Sequence, residues 1–210
     1  DSRQALMSRL ADGAATLNCP LSEQSINQCL AHVDLLLRWN RVHNLTTVVE
    51  PKEIVTRHLL DSLTIASLIR GTRLLDIGSG GGFPGIPLAL ALPDTHWTLL
   101  DSRGKRARFL QEVVDQLALK RIAVVQQRVE HYRPEENFDT LVARAVAPLP
   151  KFVSATQHLW REGVRVIAMK GSRLGPEWNQ ISPAIRERAE IVRLVVPGVD
   201  LHRQAVVFQN

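Results

Sequence analysis

Cysteine is scarce in this sequence: Cys19 and Cys29 are the only two in 210 residues, ten apart and without Cys-x-x-Cys spacing. That excludes a disulfide framework and gives no thiolate metal site, and the seven histidines fall into no His-Glu-x-x-His pattern. Long apolar runs are missing as well. None approaches the roughly 18 to 20 residues that a spanning helix needs, and the stretch from Asp1 to Leu10 has neither the apolar core nor the cleavage site of a signal peptide. The reading therefore expects a cytoplasmic protein with no metal and no membrane partner. Hydrophobic residues at 45% and charged residues at 22% suffice for one sizeable core. The formal charge of +5 favours polyanions without singling one out.

Periodicity divides the chain into residues 1–70, a helical segment packed on the core, and residues 71–210, an α/β unit. Ile26, Leu30, Val33 and Leu37 make one stripe of a helix from Ser22, its N-cap, to about Arg41. A shorter helix using Leu6, Leu10 and Leu17 precedes it. A third is expected from Pro51, with Leu59, Leu63, Ala66 and Ile69 on one face and Gly71 as its stop.

From there short apolar strands alternate with helices. Strands are expected at Arg73–Ile77, Trp97–Leu100, Ile122–Val125, Thr140–Ala143 and Val164–Met169, and helices at Ile86–Leu92, Arg103–Leu119 and about Pro150–Leu159. This pattern specifies a largely parallel sheet covered on both faces. Ile191–Val196 and Ala205–Phe208 depart from it. The link Pro197-Gly198-Val199-Asp200 is too short to hold a crossover helix, so these strands are expected to pair antiparallel. Between them and the fifth strand, Gly175–Arg188 is read as a segment with a short helix.

The chemistry concentrates where the first strand opens into Asp76-Ile77-Gly78-Ser79-Gly80-Gly81-Gly82-Phe83-Pro84-Gly85. Glycines let the main chain turn tightly and approach a ligand where a Cβ would collide. A bare turn needs two or three of them, not the five between Gly78 and Gly85. A dinucleotide pyrophosphate wants a third glycine where Phe83 stands, so the loop fits a neutral or cationic nucleoside cofactor better. Asp76 is placed to meet that cofactor's ammonium. Asp101, 25 residues on, ends the second strand either as acceptor for ribose hydroxyls or as cap of the next helix. Val129 and Glu130 follow the third strand at the adenine rim, where a solvated Glu130 is the competing reading.

Arg38-Trp39-Asn40, Asn44-Leu45-Thr46, Arg57-His58-Leu59-Leu60-Asp61-Ser62, the run Asp76 to Pro87, Leu100-Asp101-Ser102 with Lys105-Arg106, and Ala143-Arg144-Ala145 together resemble the bacterial RsmG family, also called glucose-inhibited division protein B. The resemblance runs from about Leu21 to the C-terminus. It implies a class I S-adenosylmethionine-dependent methyltransferase fold, a Rossmann-like, mostly parallel seven-stranded sheet with a terminal antiparallel hairpin. It further implies transfer of a methyl group from S-adenosyl-L-methionine to N7 of the guanine at position 527 of 16S ribosomal RNA. Carried onto matching positions, cofactor contacts would be Gly78, Phe83, Val129, Glu130 and Arg144, beside Asp76, Gly80, Gly82 and Asp101 from the loop and strand reading. Where many relatives have a proline before the glycine and a leucine after it, this chain has Gly81-Gly82-Phe83, which preserves a turn and an apolar wall.

Guanine N7 is an exposed lone pair on the major-groove edge, so alignment matters more than deprotonation. Ala143-Arg144-Ala145-Val146-Ala147-Pro148-Leu149 stands where amine methylases carry Asn/Asp-Pro-Pro-aromatic, and neither cysteine lies at a strand end for a covalent route. Arg144, at a strand's C-terminal end, is the candidate catalytic residue, contacting cofactor, RNA or both. Arg57, His58, Arg103, Lys105, Arg106 and Lys170 are candidates for substrate contact, with Arg108, Lys151 and Arg173 extending the basic set. His58 and Asp61 share a helix face, read first as a structural pair pinning the helix over the cofactor mouth and second as a proton relay. Among the tryptophans only Trp178 is a loop candidate for base stacking. The expected partner is 16S ribosomal RNA within the small subunit or an assembly intermediate, met by a monomer. A small-molecule or protein methyltransferase, a non-catalytic nucleic-acid-binding module and a nicotinamide oxidoreductase remain alternatives.

Overall fold

The structure, a computed structural model, describes residues 2–172 and 174–210, so Arg173 lies outside the described residues. Helix α1 (Arg3–Thr16) is capped by Ser2. Helix α2 (Glu23–His43) is capped by Ser22, whose side chain accepts from the Ser25 amide, and ends at Asn44 in the left-handed conformation.

The next segment is not one regular helix. It runs as α3 (Pro51–Ile54), a π-helical turn (Val55–Leu60), α4 (Asp61–Leu63) and a 3₁₀ turn (Ala66–Leu68). The apolar period is kept, because Ile54, Val55, Leu59, Leu60 and Leu63 are all buried, while the backbone widens around Arg57 and His58.

The sheet contains β1 (Arg73–Ile77), β2 (His96–Asp101), β3 (Ile122–Gln126), β4 (Thr140–Arg144), β5 (Arg165–Lys170), β6 (Ala189–Leu194) and β7 (Arg203–Gln209). Their order is β3-β2-β1-β4-β5-β7-β6. The first five pair parallel, and β7 runs antiparallel to both β5 and β6. The hairpin expected from the short link is thus present, and β7 inserts between β5 and β6. Helices α5 (Gly85–Ala91), α6 (Gly104–Gln116), α7 (Leu149–Thr156), α8 (Leu174–Asn179) and α9 (Pro183–Arg186) complete the layers.

Alternation along the strands sorts the core into two clusters. Leu74, Leu99, Val142, Ile167 and Val207 pack with α1, α2, α5 and α6, while Leu75, Ile77, Leu141, Val166 and Phe208 pack with α7 and α8. The strand order reverses between β1 and β4, and a crevice opens beyond their carboxyl ends, where open α/β sheets place ligands.

Candidate active site

A cavity of about 540 Å³ occupies that crevice, within the range of small-molecule sites. Its wall includes Gly78, Gly80 and Phe83 from the β1 loop, Asp101, Arg103 and Arg106 after β2, Val129 and Glu130 after β3, and Arg144 at the end of β4. Lys151 also reaches the wall, so most of the residues expected from sequence converge here.

Local geometry explains the glycines. Gly78, Gly80 and Gly82 have φ of 67°, 60° and 93°, a region that β-carbon-bearing residues avoid. A Cβ on Gly80 would meet nothing closer than 3.8 Å, so it would project into free space on the cavity wall. Gly82 faces the other way and is not part of the wall. A Cβ there would come within 2.5 Å of Ile86 Cδ1 and 3.0 Å of His32 Nε2. Its glycine serves packing rather than ligand approach, which corrects its assignment as a cofactor contact.

Asp76 also sits behind the loop. Its Oδ2 accepts from Ser79 Oγ at 2.7 Å and from the Gly85 amide at 2.8 Å, while Oδ1 is buried without a partner among the described residues. Burial pushes its pKa up to about 6 against the pull of those two donors. Asp101 lines the cavity with both of its oxygens already accepting. Its Oδ2 accepts from the Gly80 amide and its Oδ1 from the Arg103 amide, each at 2.9 Å, so it ties the glycine loop to the residue that precedes α6, and it is not itself the side-chain cap of that helix.

Arg144 is held from behind. Its hydrogen bonds among the described residues run through Nη1, to Arg57 O and Asp61 Oδ2, both at 3.2 Å, and His58 Nδ1 lies 3.3 Å from the same nitrogen. Its guanidinium carbon lies 5.2 Å from the centre of the Phe83 ring, a cation–π distance. Asp61, with its side chain 2% exposed, also binds Arg203 through Nε at 2.7 Å and Nη2 at 2.9 Å. One buried carboxylate thus joins β4, β7 and the N-terminal helices. Burial first, then the Arg144 charge, lowers the His58 pKa to about 4. The ring also rests 4.9 Å from Phe83 and contacts Thr46 Oγ1 at 3.0 Å through Nε2. As a neutral ring with its proton on Nδ1, His58 donates to Arg57 O and accepts from the Thr46 hydroxyl.

Other sequence expectations shift. Arg57 and His58 support Arg144 and are not on the cavity wall, so they do not face substrate there. Lys105 is exposed just beyond the wall. Lys170 is corrected outright. Its ammonium is bound by Ala147 O and by Glu177 at 3.0 Å with the side chain 12% exposed, so it braces the loop after β4 instead of offering charge to RNA. Trp178 packs on the second core cluster. The sequence reading missed Arg203, for which no local signal exists, and Thr46, which the Asn-Leu-Thr motif contains. It also missed His32, wholly buried between Phe83 and Phe109 with Nε2 2.7 Å from Gly81 O. Burial drives the His32 pKa down to about 4.

Comparison with known proteins agrees with this architecture. A putative O-methyltransferase from Klebsiella pneumoniae superposes with a TM-score of 0.57 at 18% identity, covering 85% of this chain and 90% of that one. The C-terminal domain of precorrin-6Y C5,15-methyltransferase from Rhodobacter capsulatus gives 0.54 at 18% identity, covering 72% and 88%. The fold is therefore that of the class I methyltransferases. At the sequence level, Ribosomal RNA small subunit methyltransferase G of Ectopseudomonas mendocina is 44% identical over 96% of this chain and 94% of its own length. The protein of that name from Cronobacter sakazakii is 43% identical over 97% and 96%. The family model GidB, rRNA small subunit methyltransferase G, matches residues 25–205, and with these relatives it establishes that the chain belongs to that family.

Proposed function

We propose that this protein transfers a methyl group from S-adenosyl-L-methionine to N7 of the guanine at position 527 of 16S ribosomal RNA, acting in the cytoplasm as a monomer on the small ribosomal subunit or an assembly intermediate. The observation that carries the proposal is the cavity at the β1–β4 switch point, walled by an open glycine loop, a carboxylate and a held arginine in a chain of this family.

The residues present fit such a cofactor. Gly80 leaves room where a Cβ would intrude, Gly78 lets the loop pass Val146, which a Cβ there would approach to 2.9 Å, and each Asp101 oxygen that accepts one amide retains a lone pair for a ribose hydroxyl. Val129 and Glu130 border the adenine side, and Phe83 supplies an apolar wall. When bound, the cofactor supplies an electrophilic methyl group on a sulfonium. Everything else falls to positioning, because N7 already carries its lone pair and no proton has to leave first.

The side chains are suited to that task. His58 is held neutral with both nitrogens engaged, its Nδ1 on the Arg57 carbonyl that Arg144 also bonds, so it steadies that carbonyl beside Arg144 and abstracts no proton. Arg144 keeps Nε and Nη2 for guanine O6, on the same base edge as N7, or for a neighbouring phosphate. Arg103, Arg106 and Lys151 at the mouth add positive charge for the RNA backbone.

The test is transfer of isotope-labelled methyl from S-adenosylmethionine to small subunits from cells lacking this gene, with the modified base mapped by mass spectrometry. Label on N7 of guanine 527 is expected. Label in no RNA, with cofactor binding intact, would move the acceptor to a small molecule or a protein.

A further inference from the structure

The positive charge at the cavity mouth does not stop at Arg103 and Arg106. Lys105 and Arg108 are exposed on the face of α6 that also carries Glu112, at steps of three and four residues. Glu112 Oε2 accepts from Trp39 Nε1 at 3.0 Å, and Gln28 Nε2 donates to Leu117 O at 3.2 Å. These two bonds fix α2 antiparallel to α6. The C-terminal turns of α2 therefore lie beside the N-terminal turns of α6.

There α2 exposes Arg38 with Arg41 and Val42, which lie three and four residues further on. Val42 is 74% exposed, more than any other large apolar residue described. Among the described residues none of the four cations is in an ion pair. The nearby carboxylates are already engaged: Asp34 by Arg3, Glu112 by Trp39 and Gln116, and Asp101 by the Gly80 and Arg103 amides. The α6 cations also sit at a helix N-terminus, where the macrodipole opposes them, so helix stability does not account for their placement.

We propose that Arg38, Arg41, Lys105 and Arg108, with Val42 among them, form a second contact surface for ribosomal RNA. The strip starts at the mouth, covers the first turn of α6 over a rise of about 5 Å, and continues across onto the C-terminal end of α2. It grips backbone phosphates flanking the target nucleotide and so sets the approach of the RNA to Arg144. This rests on the ribosomal RNA reading above and adds to it the surface outside the cavity.

The experiment compares binding to small subunits over a range of salt concentrations for Arg38→Ala/Arg41→Ala, Lys105→Ala/Arg108→Ala and a control, Lys120→Ala/Arg121→Ala. The control pair is exposed at the opposite end of the sheet, where Arg121 O receives the Trp97 amide at the start of β2. Each strip variant is expected to bind roughly tenfold more weakly, with a log–log salt slope lower by about 1.5, while cofactor affinity stays unchanged. The control should keep the full slope. Equal losses in all three, or none in the strip variants, would overturn the proposal. A photoreactive benzoylphenylalanine in place of Val42 should crosslink to 16S ribosomal RNA; a crosslink to a ribosomal protein instead would also overturn it. Failure of the underlying reading is distinguishable, because then the unaltered protein labels no RNA at all.

Discussion

Gly80 and Gly82 both adopt positive φ, yet a single methyl group should do different harm at each. At Gly80 the added Cβ meets open space on the cavity wall, so Gly80→Ala bears only the left-handed backbone cost of about 1 to 2 kcal/mol. Cofactor affinity should fall at least tenfold, because the methyl projects where the ligand must approach. At Gly82 the same backbone cost is joined by the close approach to Ile86 and His32, so Gly82→Ala should lose about 3 kcal/mol of stability. Urea unfolding with cofactor titration separates the two. A Gly80→Ala protein that binds cofactor normally would remove this loop from the ligand's path. The pattern of five glycines is visible in sequence, but which of them faces ligand is a property of the packing behind the loop.

The segment from α3 to α4 carries no atom of the cavity wall, yet it sets where Arg144 points. Asp61→Asn would leave Arg144 and Arg203 buried against a neutral amide, and breaking one side of such a buried pair costs about 3 to 5 kcal/mol. The expected phenotype is a fall in both thermal stability and kcat. Arg203→Met, which keeps the Arg144–Asp61 contact, should retain more activity than stability; equal loss of both would mean that β7 positions Arg144 directly. The alternation of strands and helices, the N-cap at Ser22 and the terminal hairpin follow from local patterns, since period, cap and link length are all short-range signals. The union of Asp61 with Arg203 spans 142 residues of chain, and no periodicity carries it. Lys170 failed as an RNA contact for a different reason: its partner Glu177 is only seven residues on, but it lies in a segment read merely as containing a short helix, so nothing in the pattern turned that carboxylate towards the lysine. The π-helical turn at Val55–Leu60 preserves the apolar stripe while altering the backbone, so a stripe reading could not detect it.

At the scale of the whole molecule, buried titratable groups set how stability changes with pH. His32 and His58 have folded pKa values near 4, below the ordinary 6.5, so between those limits the unfolded chain binds two protons that the native state refuses. Their contribution is fully present above pH 6.5 and is lost as pH falls towards 4. Asp76 acts in the opposite sense. Its folded pKa near 6 exceeds its ordinary 3.8, so the native state keeps a proton that the unfolded chain releases, and this group lowers stability as pH rises from about 4 to 6. Across pH 4 to 6 the unfolded state therefore binds one net extra proton, and stability should decline on acidification by roughly 1.4 kcal/mol per pH unit. Chemical denaturation at several pH values measures this slope directly. His32→Gln should nearly abolish it by removing one of the two histidine protons, whereas Asp76→Asn should about double it by removing the opposing carboxyl. A slope that His32→Gln leaves unchanged would mean that the imidazole behind the glycine loop is protonated in the folded protein, and its 2.7 Å contact with Gly81 O would then be that of a buried cation.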